Sequence, residues 1–342
     1  MTVLIGVDPH KGSHTAVAID RDEVVVDELR VTATVGQVDE LVGWAKGFET
    51  RTWAVESAGG LGYLLSQQLV AAGETVLDVP ATLAARVRVL GTGRSDKNDP
   101  NDARSVAIAA LRAPALAAVR AEDHTIVLRL LAKRHRDLGR ARNRTACRLH
   151  AVMAELVAGG IDKELVTSQV RALLEGLDAT SAAQRTRLEL ADELVEDLAR
   201  LDTQMKMSKR RITVAVDASG STLTDIFGIG PVLAATLLGY TGDPTRFANA
   251  DAYANYNGTA PIDRSSGDHR IHRLSRRGNR QLNHALHMAA VTQIRFAHSP
   301  GRGYYDSKIE AGKTGKTALR ALKRRLSDVV YRQLIADTRR HS

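Results

Sequence analysis

Val3-Leu4-Ile5-Gly6-Val7-Asp8 is a five-residue apolar run that holds one glycine and ends on a carboxylate. A run this short, closed by a charged residue, predicts a buried strand rather than a helix. Working outward, residues 16–19 and 24–26 are two more short apolar runs, so the chain opens as three strands in a meander. Val38, Leu41, Val42, Trp44 and Ala45 then recur at helical spacing, and residues 53–55 form a fourth apolar run. Gly59 to Gly62 introduces a second helical stretch ending at Gly73, and residues 76–79 close at Pro80 as another strand. Three strands, then helix, strand, helix and strand, predict an α/β layer around a mixed sheet.

Residues 112–211 read as long helices with little strand signal. Ala191, Leu194, Leu198, Leu201, Met205, Ser208 and Ile212 repeat at alternating spacings of three and four, the period of a coiled-coil seam. So short a seam serves equally well inside one chain or between protomers. Residues 217–221 are small and polar and mark a boundary. Phe227-Gly228-Ile229-Gly230-Pro231 follows, then an apolar helix, a loop-rich basic stretch over 256–278, and helices to the end.

The 342 residues carry 48 Lys plus Arg against 39 Asp plus Glu, with 44% hydrophobic residues and one cysteine. That is globular composition with room for two or three domains. A single thiol, Cys147, closes no intrachain disulfide and builds no cysteine-rich zinc site, which favours a reducing cytoplasm. An acid at position 8 and the lack of any apolar run of bilayer length argue against secretion and membrane insertion. The charge is uneven: residues 264–342 hold 18 Lys plus Arg against 5 acids, and residues 120–150 hold 9 against 3. Two basic blocks on a mildly acidic body suit a polyanion, since each neutralised phosphate releases counterions. Solvated helix faces account for the charge alone equally well.

Two acids interrupt the apolar elements: Asp8 ends the first strand and Glu56 ends the strand over 53–55. A carboxylate is costly to bury unless paired or bound to a cation, and the carboxyl edge of an α/β sheet is where ligands sit. Taken singly, each acid is explained by its strand emerging into water. In Lys97-Asn98-Asp99-Pro100-Asn101-Asp102-Ala103, Asp99 and Asp102 fall on one helical face and can converge on one cation. Helix capping by Asp99, with Pro100 first in the helix and Asp102 in its first turn, accounts for the same positions. Four carboxylates are what a two-metal phosphoryl-transfer site needs, with oxygen ligands to Mg²⁺ or, as the alternative, Mn²⁺.

The order Gly6-Val7-Asp8, Val55-Glu56-Ser57-Ala58-Gly59 and Lys97-x-Asp99-x-x-Asp102-Ala103 resembles the DEDD insertion-sequence transposases. The likeness continues through Phe227-Gly228-Ile229-Gly230, Gly258-x-x-Pro261, Ser265-Ser266-Gly267 and Ser275-Arg276-Arg277-Gly278-Asn279, and so spans nearly the whole chain. The resemblance implies an α/β, RuvC-like (RNase H-like) mixed-sheet domain over residues 1–115, a helical coiled-coil region over 116–216, and a mainly helical transposase domain over 217–342. It makes Asp8, Glu56, Asp99 and Asp102 the catalytic, metal-binding tetrad and Ser266 the nucleophile. Ser266 is preferred to Ser265 because it lies five residues after Pro261 and directly before Gly267. Such proteins are serine-dependent DNA recombinases guided by a noncoding bridge RNA. The partners it implies are donor and target DNA, that RNA, and further copies of the chain as a dimer or tetramer in the bacterial nucleoid.

Residue chemistry adds to this independently. A serine hydroxyl is a poor nucleophile unless a base or metal activates it, and no triad order is recognisable near Ser266. Metal held by the carboxylates would fill that gap. Arg270, Arg273, Arg276, Arg277 and Arg280 follow the serine closely and are candidates to clamp the scissile phosphate. The glycines of 227–231 suit a helix-hairpin-helix turn whose amides face a phosphate, or simply a tight helix connection. Gly312-Lys313-Thr314-Gly315-Lys316-Thr317 is no phosphate loop, because Ser307 and Glu310 stand where the first glycine is required. Two rival readings remain at this stage, a hydrolytic RuvC-like junction nuclease and a non-catalytic nucleic-acid binder.

Overall fold

In the computed structural model, which describes residues 2–92, 99–161, 167–266, 269–274 and 278–341, the early apolar runs become strands. They are β1 (Thr2–Pro9), β2 (Ser13–Ile19) and β3 (Val25–Thr32). There follow α1 (Gln37–Ala45), β4 (Thr50–Glu56), α2 (Tyr63–Ala71), β5 (Val76–Val79), α3 (Ala81–Thr92), α4 (Asp99–Arg112) and β6 (Ala117–Ala118). The sheet runs in the order β3-β2-β1-β4-β5-β6. β1 is parallel to β4, and β4 to β5, while the β1–β2, β2–β3 and β5–β6 pairs are antiparallel. This is the mixed sheet that the apolar pattern predicts. The third strand differs in detail: Val24, Val25 and Val26 are exposed, and the strand runs on to Thr32, where Val31 is buried. β3 pairs only with β2, so an edge position places these valines at its open end.

Side-chain alternation along β1 sorts the sheet into two faces. Val3, Ile5 and Val7 join Trp53, Val55, Leu41 and Leu65 in one core, beneath α1 and α2. Leu4, Gly6 and Asp8 point the other way, toward α3 and α4. On that side Ala54, Val79, Ala84, Val106 and Ala109 form a second core, and Val17, Ile19, Ala103, Ala107 and Ile108 a third. The glycine decides how closely α4 lies: a Cβ added at Gly6 would stand 2.1 Å from the carbonyl oxygen of Ala103 and 2.5 Å from the amide nitrogen of Ala107. Helix backbone therefore rests on strand backbone at this point, with the Ala107 methyl beside it.

Packing divides the chain into two units, Met1–Glu122 and Asp123–Ser342. The second begins with α5 (His124–Leu156), α6 (Thr167–Glu175) and α7 (Ala182–Ala218). Asp123 caps α5 by accepting from the Thr125 amide, and Ser181 caps α7 by accepting from that of Gln184. α8 (Pro231–Thr241), α9 (Ala250–Asn257), β7 (Pro261–Ser266), β8 (His269–Leu274), α10 (Arg280–Arg295), α11 (Pro300–Glu310) and α12 (Gly315–His341) complete it. No helix among the described residues is long and apolar enough to cross a membrane.

The heptad-like row lies on α7, and α5 covers it. Ala191 and Leu198, with Val195, pack on Leu149, Met153 and Val170. Ile212 and Val216 pack with Leu128 and Ala132 further along. Arg142 Nε donates to Asp202 Oδ1 at 2.5 Å between these patches. Within this chain α5 thus covers the buried apolar members of the row, Ala191, Leu198 and Ile212, while Leu201 and Met205 stay partly exposed.

Two substitutions check this layering. Gly6→Ala should cost about 1–3 kcal/mol or more by forcing α4 off the sheet, measured by denaturant unfolding. Leu198→Ala should cost about 2–5 kcal/mol and leave the sedimentation of the folded protein unchanged. Loss of self-association on Leu198→Ala, without loss of stability, would return the seam to an intermolecular role.

Candidate active site

The parallel register of β1 and β4 sets the first two acids side by side. Gly6 faces Ala54 and Val7 faces Val55, and the next residues along the two strands are Asp8 and Glu56. Both follow the α4-facing alternation, Asp8 with Gly6 and Glu56 with Ala54. The chain after Glu56 is held tightly. Ser57 takes a left-handed conformation (φ 50°), its amide donates to Val79 O at 2.9 Å, and the Ala58 amide donates to Asp78 Oδ1 at 2.9 Å. Gly62 closes this loop onto the strand ends, where a Cβ would lie 2.6 Å from Val55 Cγ1 and 3.1 Å from Pro9 Cγ. Above them α4 starts at Asp99, with Asp102 buried in its first turn. The close contact at Gly6 is what carries those two acids to the strand ends.

Charge concentrates on Asp8, which is 7% exposed. Burial pushes its carboxyl from the ordinary 3.8 up to about 6. His10 opposes this, while the charges of Glu56, Asp102 and Asp99 add to it. All three other members of the predicted tetrad therefore act on Asp8. Arginines offset part of the excess: Arg88 donates to Asp102 Oδ1, and Arg30 lies 3.4 Å from Asp99 Oδ2. Asp8 Oδ2 is buried and has no hydrogen-bond partner. A buried orphaned carboxylate oxygen is costly, and a cation would satisfy it. Ligand atoms of Asp8, His10 and Asp99 lie within 4.8 Å of one another. The donor set therefore fits a divalent cation bound mainly through oxygen. His10 and Arg88 escaped the sequence reading. Proximity to Asp8 could have suggested His10, whereas nothing local marks Arg88.

In the second unit, Ser266 is the last residue of β7 and pairs with His269, the first of β8. It therefore stands at the turn end of a two-stranded hairpin, next to Ser265, which pairs with Arg270. Arg273 pairs with Ile262 lower on the same hairpin. Gly267, Arg276 and Arg277 lie outside the described residues. Arg280 is exposed in the first turn of α10, behind the N-cap Asn279. The root of the hairpin is pinned. Gly258 ends α9 in a left-handed conformation (φ 73°), and a Cβ on Gly278 would come within 2.5 Å of it. Asn283 Nδ2 donates to the carbonyls of Asn257 and Gly258, both at 3.0 Å, and its Oδ1 accepts from Lys323 Nζ at 2.7 Å. The Phe227–Pro231 turn also packs on α10: Gln293 Nε2 donates to Phe227 O at 2.7 Å, and Gly228 (φ 85°) lies over Ala289. None of Asn257, Asn283 and Lys323 stood out in the sequence.

Sheet and acids together place a carboxylate cluster suited to a cation at the strand ends of an α/β unit with a mixed sheet. Residues 220–306 match the family described as Transposase IS116/IS110/IS902 family, and residues 5–158 match a DEDD transposase family named for IS110. The chain is 29% identical to the uncharacterized 44.8 kDa protein of insertion element IS116 from Streptomyces clavuligerus, over 97% of this chain and 94% of that one. It is also 29% identical to the 42 kDa protein of insertion element IS900 from Mycobacterium paratuberculosis, over 97% and 95%. Among solved structures, Thermus thermophilus RuvC aligns with 34% of this chain and 100% of its own, at 16% identity and a TM-score of 0.28. Between them the matches make the chain similar to IS110/IS116/IS902 transposases over most of its length.

The raised Asp8 pKa has a signed consequence for stability. Between about pH 4 and 6 the metal-free folded state binds more protons than the unfolded chain, so stability falls as pH rises through that window. Asp8→Asn removes the penalised charge. It should raise the melting temperature of metal-free protein above pH 6 and leave it nearly unchanged below pH 4. Added divalent metal should stabilise the wild type and not the variant. A variant no more stable than wild type at pH 8 without metal would count against the buried, uncompensated carboxylate.

Proposed function

We propose that this transposase is a DNA recombinase that cuts and rejoins strands through a phosphoserine linkage, guided by an RNA from its own element. The observation that carries the reading is the meeting of four acids at the strand ends, with one buried carboxylate oxygen lacking a partner. Asp8, Glu56, Asp99 and Asp102 would hold Mg²⁺ or Mn²⁺. Bound there, the metal would stabilise charge developing on the phosphate oxygens and favour the ionised hydroxyl. Ser266 Oγ gives up its proton and bonds to phosphorus, and the displaced sugar oxygen leaves with its bonding electrons and takes up a proton. A hydroxyl of the partner strand later gives up its proton and attacks the same phosphorus, and Ser266 Oγ departs with the bonding electrons and takes up a proton. Arg270, Arg273, Arg276, Arg277 and Arg280, which follow the serine closely in sequence, would clamp the scissile phosphate.

The basic blocks support nucleic-acid partners, namely donor DNA, target DNA and the bridge RNA. On α5, Lys133, Arg134, Arg140, Arg144 and Arg148 are exposed, so this face is open to phosphates. RNA guidance rests on the family resemblance of the motifs. Action as a homo-oligomer in the bacterial cytoplasm, on nucleoid DNA, belongs to the same reading.

The deciding experiment incubates protein, element-derived RNA and end-labelled donor DNA with Mg²⁺. A DNA strand covalently attached to protein should appear, and mass spectrometry should map it to Ser266. Ser266→Ala should abolish attachment and cleavage while sparing metal binding. Asp102→Asn should lose both metal binding and cleavage. Attachment at Ser265 would move the nucleophile by one residue. Cleavage by Ser266→Ala with no attachment would make the protein a hydrolytic nuclease. RNA and DNA affinity should fall steeply with salt, and an affinity indifferent to salt would exclude phosphate-dominated binding.

A further inference from the structure

His10 belongs to no tetrad, yet it reaches the acid centre. It lies two residues after Asp8, in the turn between β1 and β2, where its amide donates to Ser13 O at 2.9 Å. Its side chain is 49% exposed, and Nδ1 lies 3.6 Å from Asp8 Oδ2. That distance is too long for a hydrogen bond, and Asp8 Oδ2 stays buried without a partner. It is the right distance for two ligands of one ion. Metal–ligand bonds of about 2.1 Å put neighbouring ligand atoms about 3 Å apart and opposing ones about 4.2 Å apart. Asp99, on α4, supplies the third atom, all three falling within 4.8 Å of one another. Asp102 Oδ1, by contrast, is engaged by Arg88.

We infer that His10 is a ligand of the metal centre, making one of its positions an Asp8–His10–Asp99 site with a nitrogen donor. The inference rests on the tetrad being the metal site and adds to it a fifth residue with a consequence for metal choice. An imidazole suits Co²⁺ and Zn²⁺ far better than Mg²⁺, whose ligands are oxygen atoms, and Mn²⁺, which also takes oxygen ligands, accepts a nitrogen donor more readily than Mg²⁺ does. Carboxylates alone would discriminate less. The protein should therefore hold Mn²⁺ and Co²⁺ more tightly than Mg²⁺ at this position, with His10 as the source of the preference. The turn suits the role: the closed backbone fixes the ring beside Asp8, and its exposure lets it give up water for a metal at little cost.

The test needs no DNA. Mn²⁺ and Mg²⁺ affinities are measured by calorimetry on wild type, His10→Ala, His10→Gln and Asp8→Asn, and the Mn²⁺-loaded wild type is examined by pulsed electron paramagnetic resonance for coupling to a ¹⁴N nucleus. His10→Ala should weaken Mn²⁺ about tenfold or more and change Mg²⁺ by less than about twofold, and the nitrogen coupling of the wild type should vanish. The wild-type spectrum decides even where a variant folds poorly. Mn²⁺ bound without nitrogen coupling, with His10→Ala unchanged and Asp8→Asn weakened, would overturn the role of His10 and leave the tetrad standing. Mn²⁺ affinity untouched by Asp8→Asn would overturn the tetrad reading itself.

Discussion

The contact on which the first unit depends is the one between the backbone of β1 at Gly6 and the backbone of α4 at Ala103 and Ala107. Ordinary helix-on-sheet packing keeps the two layers about a side chain apart. Here the glycine and two alanines remove that spacer, and the helix settles directly over the strand. Asp102 immediately precedes Ala103 and Asp8 lies two residues beyond Gly6, so the shortened distance passes straight to the acids. A larger residue at any of the three positions would open the site before it touched a carboxylate. The role of Gly6 is thus to set a distance, since no positive φ is asked of it.

Once those acids are close, their repulsion has to be met. Arg88 on Asp102 and Arg30 near Asp99 meet part of it from one side. The Arg30 pair is largely exposed and contributes little. Asp8, as deeply buried as Asp102, keeps a carboxyl pushed up to about 6 and an oxygen without a partner. A fold that needed only stability would not retain this arrangement, because a neutral side chain at Asp8 would relieve the desolvation. The unmet charge is better understood as a site prepared for a cation, which gains what the apoprotein forgoes.

Much of this was legible in the sequence, for identifiable reasons. The runs at 3–7, 16–19, 53–55 and 76–79 fell on strands because short apolar segments bounded by polar residues have few other solutions. The acids were legible because each ends an apolar element, and Asp99 and Asp102 because a helix begins there. The run at 24–26 also fell at the start of a strand, but apolar content cannot reveal that this strand has only one neighbour and leaves its valines exposed. The heptad row was found, but its partner was not: a period identifies a buried face and says nothing about whether the same chain covers it. His10, Arg30 and Arg88 reach the site from a turn, an edge strand and a helix, a juxtaposition that only the folded sheet creates.

The serine hairpin shows the same limit in a different form. α9 ends at Gly258, and helix ends leave carbonyl groups without partners. Asn283, from α10, takes the carbonyls of Asn257 and Gly258 with one amide group, and Thr259 is tied back to Asn257 Oδ1 at 2.7 Å. Asn283 Oδ1 accepts from Lys323, a buried lysine whose pKa is lowered by burial and by Arg320. Asn257 is itself held by Ser327 at 2.7 Å, again from α12. The chain entering β7 is therefore fixed by side chains from two helices that follow it by many residues. The motif around Ser266 identifies the candidate nucleophile, but the network that aims its strand lies in Asn257, Asn283, Lys323 and Ser327.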